Sequence, residues 1–296
     1  MAVSRRVVLA ALGAGAVAGC SGQGSRSGST AGAATSSPGP AGAPASPTPG
    51  RSAGRQVRTP APARLPVTRA EIVARYGRRR PRTWGFDAPG VLHALPAGRR
   101  EIALTFDACG GRGGSAYDQA LISVLRRHRV PATLFINSRW IDENPAVFRE
   151  LAADPLFEIG NHGTRHRPLS VTGRSAYGIP GTRSAGEVFD EVAGNHLKLA
   201  RLLGAPPRYF RSGTAYCDDV AARIVADLGE RVASFSVNGD GGATFTPAQV
   251  RATVGAAAPG AVVICHMNHP EGGTAEGIAA AVPLLLGAGR RFVRLP

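Results

Sequence analysis

Two histidines that lie four residues apart, His162 and His166, follow a short apolar run near the middle of the chain. On one turn of a helix, residues at i and i+4 share a face with Cβ atoms roughly 5 to 6 Å apart, so both imidazoles would reach one divalent ion. The alternative is a pair of unrelated surface histidines. The histidine pair alone does not distinguish a metal site from two surface histidines, so the surrounding elements must be considered.

The chain from residue 99 onward alternates short β-branched segments with longer helical patterns. Such alternation predicts an α/β fold with a parallel sheet, and seven strands predict a barrel one repeat short of the eight-stranded form. An open doubly wound sheet is the rival, but no glycine-rich phosphate turn opens the first helix. The predicted strands are 101–106, 132–136, 157–159, 209–211, 231–237, 261–265 and 291–295.

The carboxyl ends of barrel strands converge on one mouth. Besides the histidine pair, the predicted strand ends carry two carboxylates, a guanidinium and a third imidazole. This inventory predicts a metal-assisted hydrolase. The residues are Asp107, Arg211, Asp240 and His266.

Residues 99–296 resemble the polysaccharide deacetylase family, the NodB-homology carbohydrate esterases of family four. The resemblance implies an irregular (β/α)7 barrel of the NodB type. The arginine motif is looser than the family's, because Gly213-Thr214 replaces Pro-Tyr, and no tryptophan follows the acidic residue of the fourth motif. The five motifs, in family order, are Thr105-Phe106-Asp107, Gly160-Asn161-His162 through His166, Arg211, Asp240 and Ile264-x-His266.

The resemblance implies an N-deacetylase, a hydrolase of non-peptide C–N bonds that releases acetate from a cell-wall or chitooligosaccharide-like polysaccharide. It implies one divalent metal, commonly zinc, on His162 and His166. Asp107 is then the general base and His266 the general acid.

The remaining implied roles are supporting ones. Arg211 orients the base, and Asp240 either pairs with Arg211 or tunes the general acid; a plain structural ion pair between those two residues is the alternative. The backbone N–H near Thr214 contributes to an oxyanion site. Tyr216 and Asn268 are further candidates for contact with substrate or oxyanion.

One position departs from the family. Ala108 stands where the family has its carboxylate metal ligand, and a methyl group binds no cation. Catalytic zinc usually has three protein ligands. Four alternatives are therefore open. Asp107 itself is the third ligand, or Cys109 or Asp118 replaces the missing carboxylate. Otherwise water or substrate occupies the third position, or metal affinity and catalysis are lost.

Three cysteines follow Cys20, and each lies in or beside a motif. Outside the membrane a disulfide is permitted, and we expect it between Cys109 and Cys217, which both lie in mouth loops. Cys265 precedes an inward histidine and is expected to point away from the barrel interior. Among the isolated histidines, His196 is expected to face solvent.

The N-terminal third of the chain indicates export. Residues 1–20 form a predicted signal peptide with Ser4-Arg5-Arg6 as a candidate twin-arginine signal, and Val17 to Cys20 resembles a lipobox that would place a lipid on Cys20. An ordinary secretory signal is the alternative. Residues 21–63 form an expected disordered tether, 64–98 an extension that packs on the barrel, and 99–296 the catalytic domain.

The formal charge of +15 comes from scattered arginines, without a nucleic-acid-binding motif, so nucleic acid is excluded as the partner. We expect an extracytoplasmic monomer, anchored to the outer face of the cell membrane, that acts on an N-acetylated glycan. The rival functions are an amidase of the same fold that hydrolyses a non-sugar amide and an inactive lipoprotein that binds wall glycan.

Overall fold

The computed structural model describes residues 64–296. The predicted signal peptide, lipidation at Cys20 and tether lie outside the described residues. Within residues 64–296, the structure contains no helix of the length and hydrophobicity that a membrane crossing requires.

Nine short strands and eight helices make up the described part of the chain. The strands are β1 (Trp84–Gly85), β2 (Ala103–Ala108), β3 (Ala132–Ile136), β4 (Phe157–Asn161), β5 (Tyr209–Phe210), β6 (Cys217–Asp218), β7 (Arg231–Val232), β8 (Val237–Asn238) and β9 (Val262–His266). The helices are α1 (Arg69–Tyr76), α2 (Gln119–Arg127), α3 (Ser138–Glu143), α4 (Pro145–Ala153), α5 (Ala185–Leu203), α6 (Asp219–Asp227), α7 (Pro247–Gly255) and α8 (Thr274–Gly287).

Seven parallel strands form one curled sheet in the order β7, β5, β4, β3, β2, β9, β8. The predicted α/β fold with seven parallel strands is confirmed. Strands β7 and β8 are the two edges and do not pair with each other, so the sheet is a half-barrel. The remaining two strands, β1 and β6, form a separate antiparallel pair.

The central strands are buried on both faces, as their continuous apolar sequences require. In β2, Leu104, Phe106 and Ala108 belong to the apolar layer under helices that include α2, α4 and α8. The alternate residues Thr105 and Asp107 face the inside of the half-barrel, where both contact one arginine. Because successive side chains of a strand point to opposite faces, the apolar residues of β2 pack under the helices while the polar residues face the inside of the half-barrel.

Two strand predictions are wrong. The segment predicted as strand 231–237 is two strands, β7 and β8, at opposite edges of the sheet. The chain between them crosses the open side of the half-barrel. The N–H of Ala233 donates to the carbonyl of Phe210 at one edge, and the N–H of Ser236 donates to the carbonyl of Val262 near the other edge. The predicted strand 291–295 is reduced to a single bridge between Phe292 and Ile102. Helix α3 was not predicted.

The first part of the segment 64–98 lies against α5 and α6. Helix α1 begins with a capping box of Thr68 and Glu71, and its Ile72 is fully buried in a cluster with residues of both helices. Tyr76 donates a hydrogen bond from its hydroxyl to Asp227 at the end of α6.

Candidate active site

A cavity of about 700 Å³ opens at the carboxyl ends of the strands. Asp107, Cys109, His166 and His266 line it. The other histidine of the pair, His162, lies next to these groups and is only 1% exposed. The structure thus brings Asp107, His266 and the histidine pair together with Cys109, one of the possible third ligands.

The histidine pair lies on an irregular loop and not on a helix, so the helical geometry expected from the i, i+4 spacing is wrong. The loop turns sharply, with φ of +78° at Gly163 and +63° at His166. Glu191 of α5 holds the turn, because its carboxylate accepts the backbone N–H groups of Arg165 and Arg167. The two imidazole rings nevertheless lie 4.8 Å apart, close to perpendicular.

The ring of His162 is fixed by a backbone carbonyl. Its Nδ1 lies 2.9 Å from the carbonyl oxygen of Arg211, which only accepts, so Nδ1 carries the proton. The other nitrogen, Nε2, is then free to bind a cation. It lies 3.6 Å from Oδ2 of Asp107 and 3.7 Å from the sulfur of Cys109.

Cys109, His162 and His166 form a cluster whose ligand atoms all lie within 4.8 Å of one another. The Nε2 atom of His166 is buried without a hydrogen-bond partner anywhere in residues 64–296, as expected for a ligand atom that awaits a cation. One thiol and two imidazoles are the donors that zinc prefers, so these residues fit a divalent metal.

The thiol of Cys109 is held near its ionised form. Burial raises its pKa, but the neighbouring imidazoles of His166, His162 and His266 outweigh burial and bring the pKa well below the ordinary value. A thiolate, and not a thiol, binds metal.

The other candidate ligands lie elsewhere. The methyl group of Ala108 belongs to the apolar layer outside the sheet and does not face the cavity. Asp118 is not part of the metal-ligand cluster; it caps α2, where its carboxylate accepts the N–H of Leu121 at 2.9 Å.

Asp107 is oriented by Arg211, whose Nη1 donates to Oδ1 at 2.7 Å. The guanidinium is fully buried, and it also donates to Thr105 and to the carbonyl of Ser234. These bonds leave Oδ2 of Asp107 directed toward the histidine cluster. The alternative of an ion pair between Arg211 and Asp240 is wrong.

Asp240 instead supports His266. Its Oδ1 lies 3.0 Å from Nδ1 of the ring, and its Oδ2 accepts the backbone N–H of His266 and the hydroxyl of Thr274. Burial lowers the pKa of His266, but the hydrogen bonds and negative charges of Asp240 and Cys109 outweigh burial and raise it well above the ordinary value. Asp240 therefore favours the protonated form of the ring.

Of the three remaining candidates, only Thr214 lines the cavity. Tyr216 packs against the rings of Trp84, Phe86 and Tyr177. Asn268 is fully buried, and its amide donates to the carbonyl of Gly114.

The predicted disulfide between Cys109 and Cys217 is wrong, because both cysteines are free, as is Cys265. Cys109 lines the cavity, whereas Cys217 is fully buried in β6. Cys265 lies in the apolar layer outside the sheet, as expected.

Four side chains of the cavity were missed by sequence reasoning. Arg112, Arg139 and Arg165 line it, and Asp107 is the only acidic residue among the described lining residues. Tyr177 also lines it and is 73% exposed. No local sequence pattern distinguishes the three arginines that line the cavity from the other arginines of the chain. Tyr177 lies in the loop that follows the histidine pair, and that position is the one sequence feature that pointed to the cavity.

His196 does not face solvent as expected. It is 3% exposed, and its Nδ1 lies 2.7 Å from Oε1 of Glu230. The same carboxylate accepts a hydrogen bond from Asn161, the residue before His162. Burial raises the pKa of Glu230 to about 7, against the opposing effect of hydrogen bonds from His196 and Asn161.

Comparison with known proteins shows which family the central part of the chain is similar to. Residues 94–233 match the family model described as polysaccharide deacetylase. The chitooligosaccharide deacetylase of Bradyrhizobium sp. (strain ANU 289) is 28% identical over 182 residues, which cover 60% of this chain and 74% of that protein. The chain spans between 27% and 74% of the length of the first curated relatives that it matches.

Solved structures share the fold. PdaA of Bacillus subtilis, described as a family 4 carbohydrate esterase, is 20% identical with a TM-score of 0.58 over 76% of this chain and 86% of that one. BA3943 of Bacillus anthracis, described as a pseudoenzyme of the same family, is 21% identical with a TM-score of 0.58 over 70% of this chain and 68% of that one.

Proposed function

We propose that this chain, whose residues 94–233 belong to the polysaccharide deacetylase family, hydrolyses N-acetyl groups of a cell-wall glycan and releases acetate. The observation that carries the proposal is the pairing at the cavity. Asp107 is held by Arg211 and His266 by Asp240, so a base and an acid face one space beside the Cys109 and histidine cluster.

The residues divide the proton transfers between them. Asp107 accepts the proton of the water that attacks the acetamide carbon, since Arg211 orients its carboxylate. The departing amine needs a proton, and His266 donates it from Nε2 because its Nδ1 is occupied by Asp240. Free amine and acetate are the products.

Cys109, His162 and His166 would hold one divalent metal, and zinc fits this donor set. When bound, such an ion polarises the acetamide carbonyl and lowers the pKa of water. The two imidazole ligands are those implied by the family resemblance. The thiolate takes the role of the carboxylate that Ala108 cannot supply.

Charge at the cavity favours an anionic glycan. Arg112, Arg139 and Arg165 have no acidic partner among the described residues, and the lining holds one carboxylate. Peptidoglycan carries carboxylates on its peptide stems, whereas chitooligosaccharides are neutral. The curated relatives include both a peptidoglycan-N-acetylmuramic acid deacetylase and chitooligosaccharide deacetylases.

The predicted export signal and the lipobox-like segment at Cys20 support a place outside the cytoplasm, tethered to the outer face of the membrane, where wall glycan is the nearest polymer. The expected monomer remains a proposal. Labelling with a radioactive fatty acid, in wild type and in Cys20→Ser, tests the anchor: label on wild type alone supports it.

Acetate release from peptidoglycan, from chitooligosaccharides and from small amides tests the function. We expect release from the glycans, with a preference for peptidoglycan, and release reduced by about a hundredfold or more in Asp107→Asn. Release from small amides alone would favour an amidase of the same fold.

The second candidate function is an inactive glycan-binding lipoprotein. The substitution at Ala108 and the resemblance to a pseudoenzyme favour it. It requires that no metal is retained, that no acetate is released and that glycan affinity is the same in Asp107→Asn as in wild type.

A further inference from the structure

A second concavity, which we call the arginine pocket, has a volume of about 470 Å³ and lies between the end of α1 and the start of α6. Five guanidinium groups and one carboxylate line it. The proposed deacetylation uses none of these residues. They are Arg78, Arg79, Arg80, Arg82, Asp219 and Arg223, together with Pro81 and Val220.

Asp219 holds the backbone of the pocket and lies within ion-pair distance of one of its five guanidinium groups. Its Oδ1 accepts the backbone N–H groups of Arg82 at 2.7 Å and Thr83 at 3.1 Å. Its Oδ2 lies 3.7 Å from the guanidinium of Arg223. The only carboxylate among the described lining residues is therefore already engaged.

The other end of the segment is also fixed. Asp227 of α6 accepts hydrogen bonds from the hydroxyl of Tyr76 at 2.9 Å and from the guanidinium of Arg75 at 2.5 Å. The N–H of Arg79 donates to the carbonyl of Tyr76. The loop is thus tied to α6 on both sides, which holds its arginines around one space.

Arg78, Arg79, Arg80 and Arg82 are exposed, and within residues 64–296 none of their side chains lies within ion-pair distance of a carboxylate. A concave surface of one charge concentrates ions of the opposite charge. A planar guanidinium group can donate two parallel hydrogen bonds to two oxygens of a phosphate. A phosphate has more acceptor oxygens than a carboxylate, so it can accept hydrogen bonds from several guanidinium groups at once.

We propose that the arginine pocket binds a phosphate group, carried either by an anionic lipid headgroup or by a small soluble phosphate. The proposal does not depend on the proposed deacetylation, because the pocket shares no lining residue with the cavity.

The test compares two triple variants of the full chain, each with Cys20→Ser so that no attached lipid contributes. One carries Arg78→Gln, Arg79→Gln and Arg80→Gln in the pocket. The control carries Arg127→Gln, Arg149→Gln and Arg201→Gln, which removes the same charge from exposed arginines that have no ion pair among the described residues. Thermal unfolding shows whether each variant is folded.

Two probes distinguish the sources of phosphate. Vesicles of phosphatidylcholine with phosphatidylglycerol are compared with phosphatidylcholine alone by sedimentation, and inorganic phosphate is titrated by calorimetry. We expect the pocket variant to bind at least about tenfold more weakly than the control. A loss confined to vesicles assigns the lipid headgroup, and a loss with inorganic phosphate assigns the soluble ligand. Equal binding by the two variants to both probes, or no binding by the Cys20→Ser parent, would overturn the proposal.

Discussion

The sulfur of Cys109 lies 3.7 Å from Nε2 of His162, on the cavity side of the sheet, while the preceding Ala108 packs on the opposite side. The residue that faces the two histidines is thus one position later than the carboxylate that the family resemblance implies. This relationship decides which side chains can complete a metal site.

Cys109→Ala should lose bound metal, because two imidazoles alone leave the site one protein ligand short. Metal content per chain, measured by atomic emission, is the readout. Cys265→Ala is the matched control, since this cysteine is buried outside the sheet. Full metal occupancy in Cys109→Ala would show that the thiolate is not a ligand.

Ala108→Asp should not restore metal in the Cys109→Ala background. Its carboxyl group would enter the apolar layer under the helices, where an unpaired polar group costs on the order of 2 kcal/mol of unfolding free energy or more. Denaturant unfolding measures that cost, and metal analysis of the double variant tests the orientation. Recovery of metal would mean that position 108 can turn toward the cavity.

Asp107→Asn should reduce deacetylation by about a hundredfold or more, the range typical of a lost general base. Asparagine keeps an acceptor for Arg211 and so preserves the fold. Asp118→Asn serves as control, because asparagine still caps α2 and lies outside the metal-ligand cluster. Equal activity of the two variants would rule out Asp107 as the base.

Asp240→Asn should move the alkaline limb of the pH profile of kcat/KM to lower pH. The general acid His266 is active while protonated, so activity falls as pH rises through its pKa. Asp240 raises that pKa, and its charge is lost in the variant. If the rate falls but the alkaline limb stays at the same pH, a group other than His266 determines the alkaline limb of the profile.

Glu230→Gln should make stability less dependent on pH. Burial raises the pKa of this carboxyl from 4.5 to about 7, so its contribution is complete below pH 4.5 and is lost as pH rises through 7. The shift corresponds to about 3 kcal/mol of unfolding free energy. Urea unfolding at pH 5 and pH 8 should show a smaller difference in the variant than in wild type, with exposed Glu143→Gln as control. An unchanged difference would contradict the assignment.

The sequence identified most of the chemical groups of the site, because residues at the carboxyl ends of parallel strands must meet. Asp107, Arg211, Asp240 and His266 were selected in this way. The sequence did not determine their partners. Arg211 and Asp240 were each open to two roles, since strand order and side-chain direction decide which charges touch.

The histidine pair also shows that the sequence does not determine which distant residues hold the side chains of the site. Its spacing predicted two neighbouring imidazoles, and they are neighbours, but on a loop that Glu191 folds from a distant helix. Long-range contacts of this kind leave no local pattern in the sequence.

The sequence by itself determined the alternation of strands and helices, the family and the absence of a carboxylate at position 108, because these depend on residue type and order alone. Only the tertiary structure decided that Cys109 faces the histidines, that His196 is buried against Glu230 and that five arginines surround one pocket. Each of these depends on which face of an element a side chain occupies and on what the fold places opposite it.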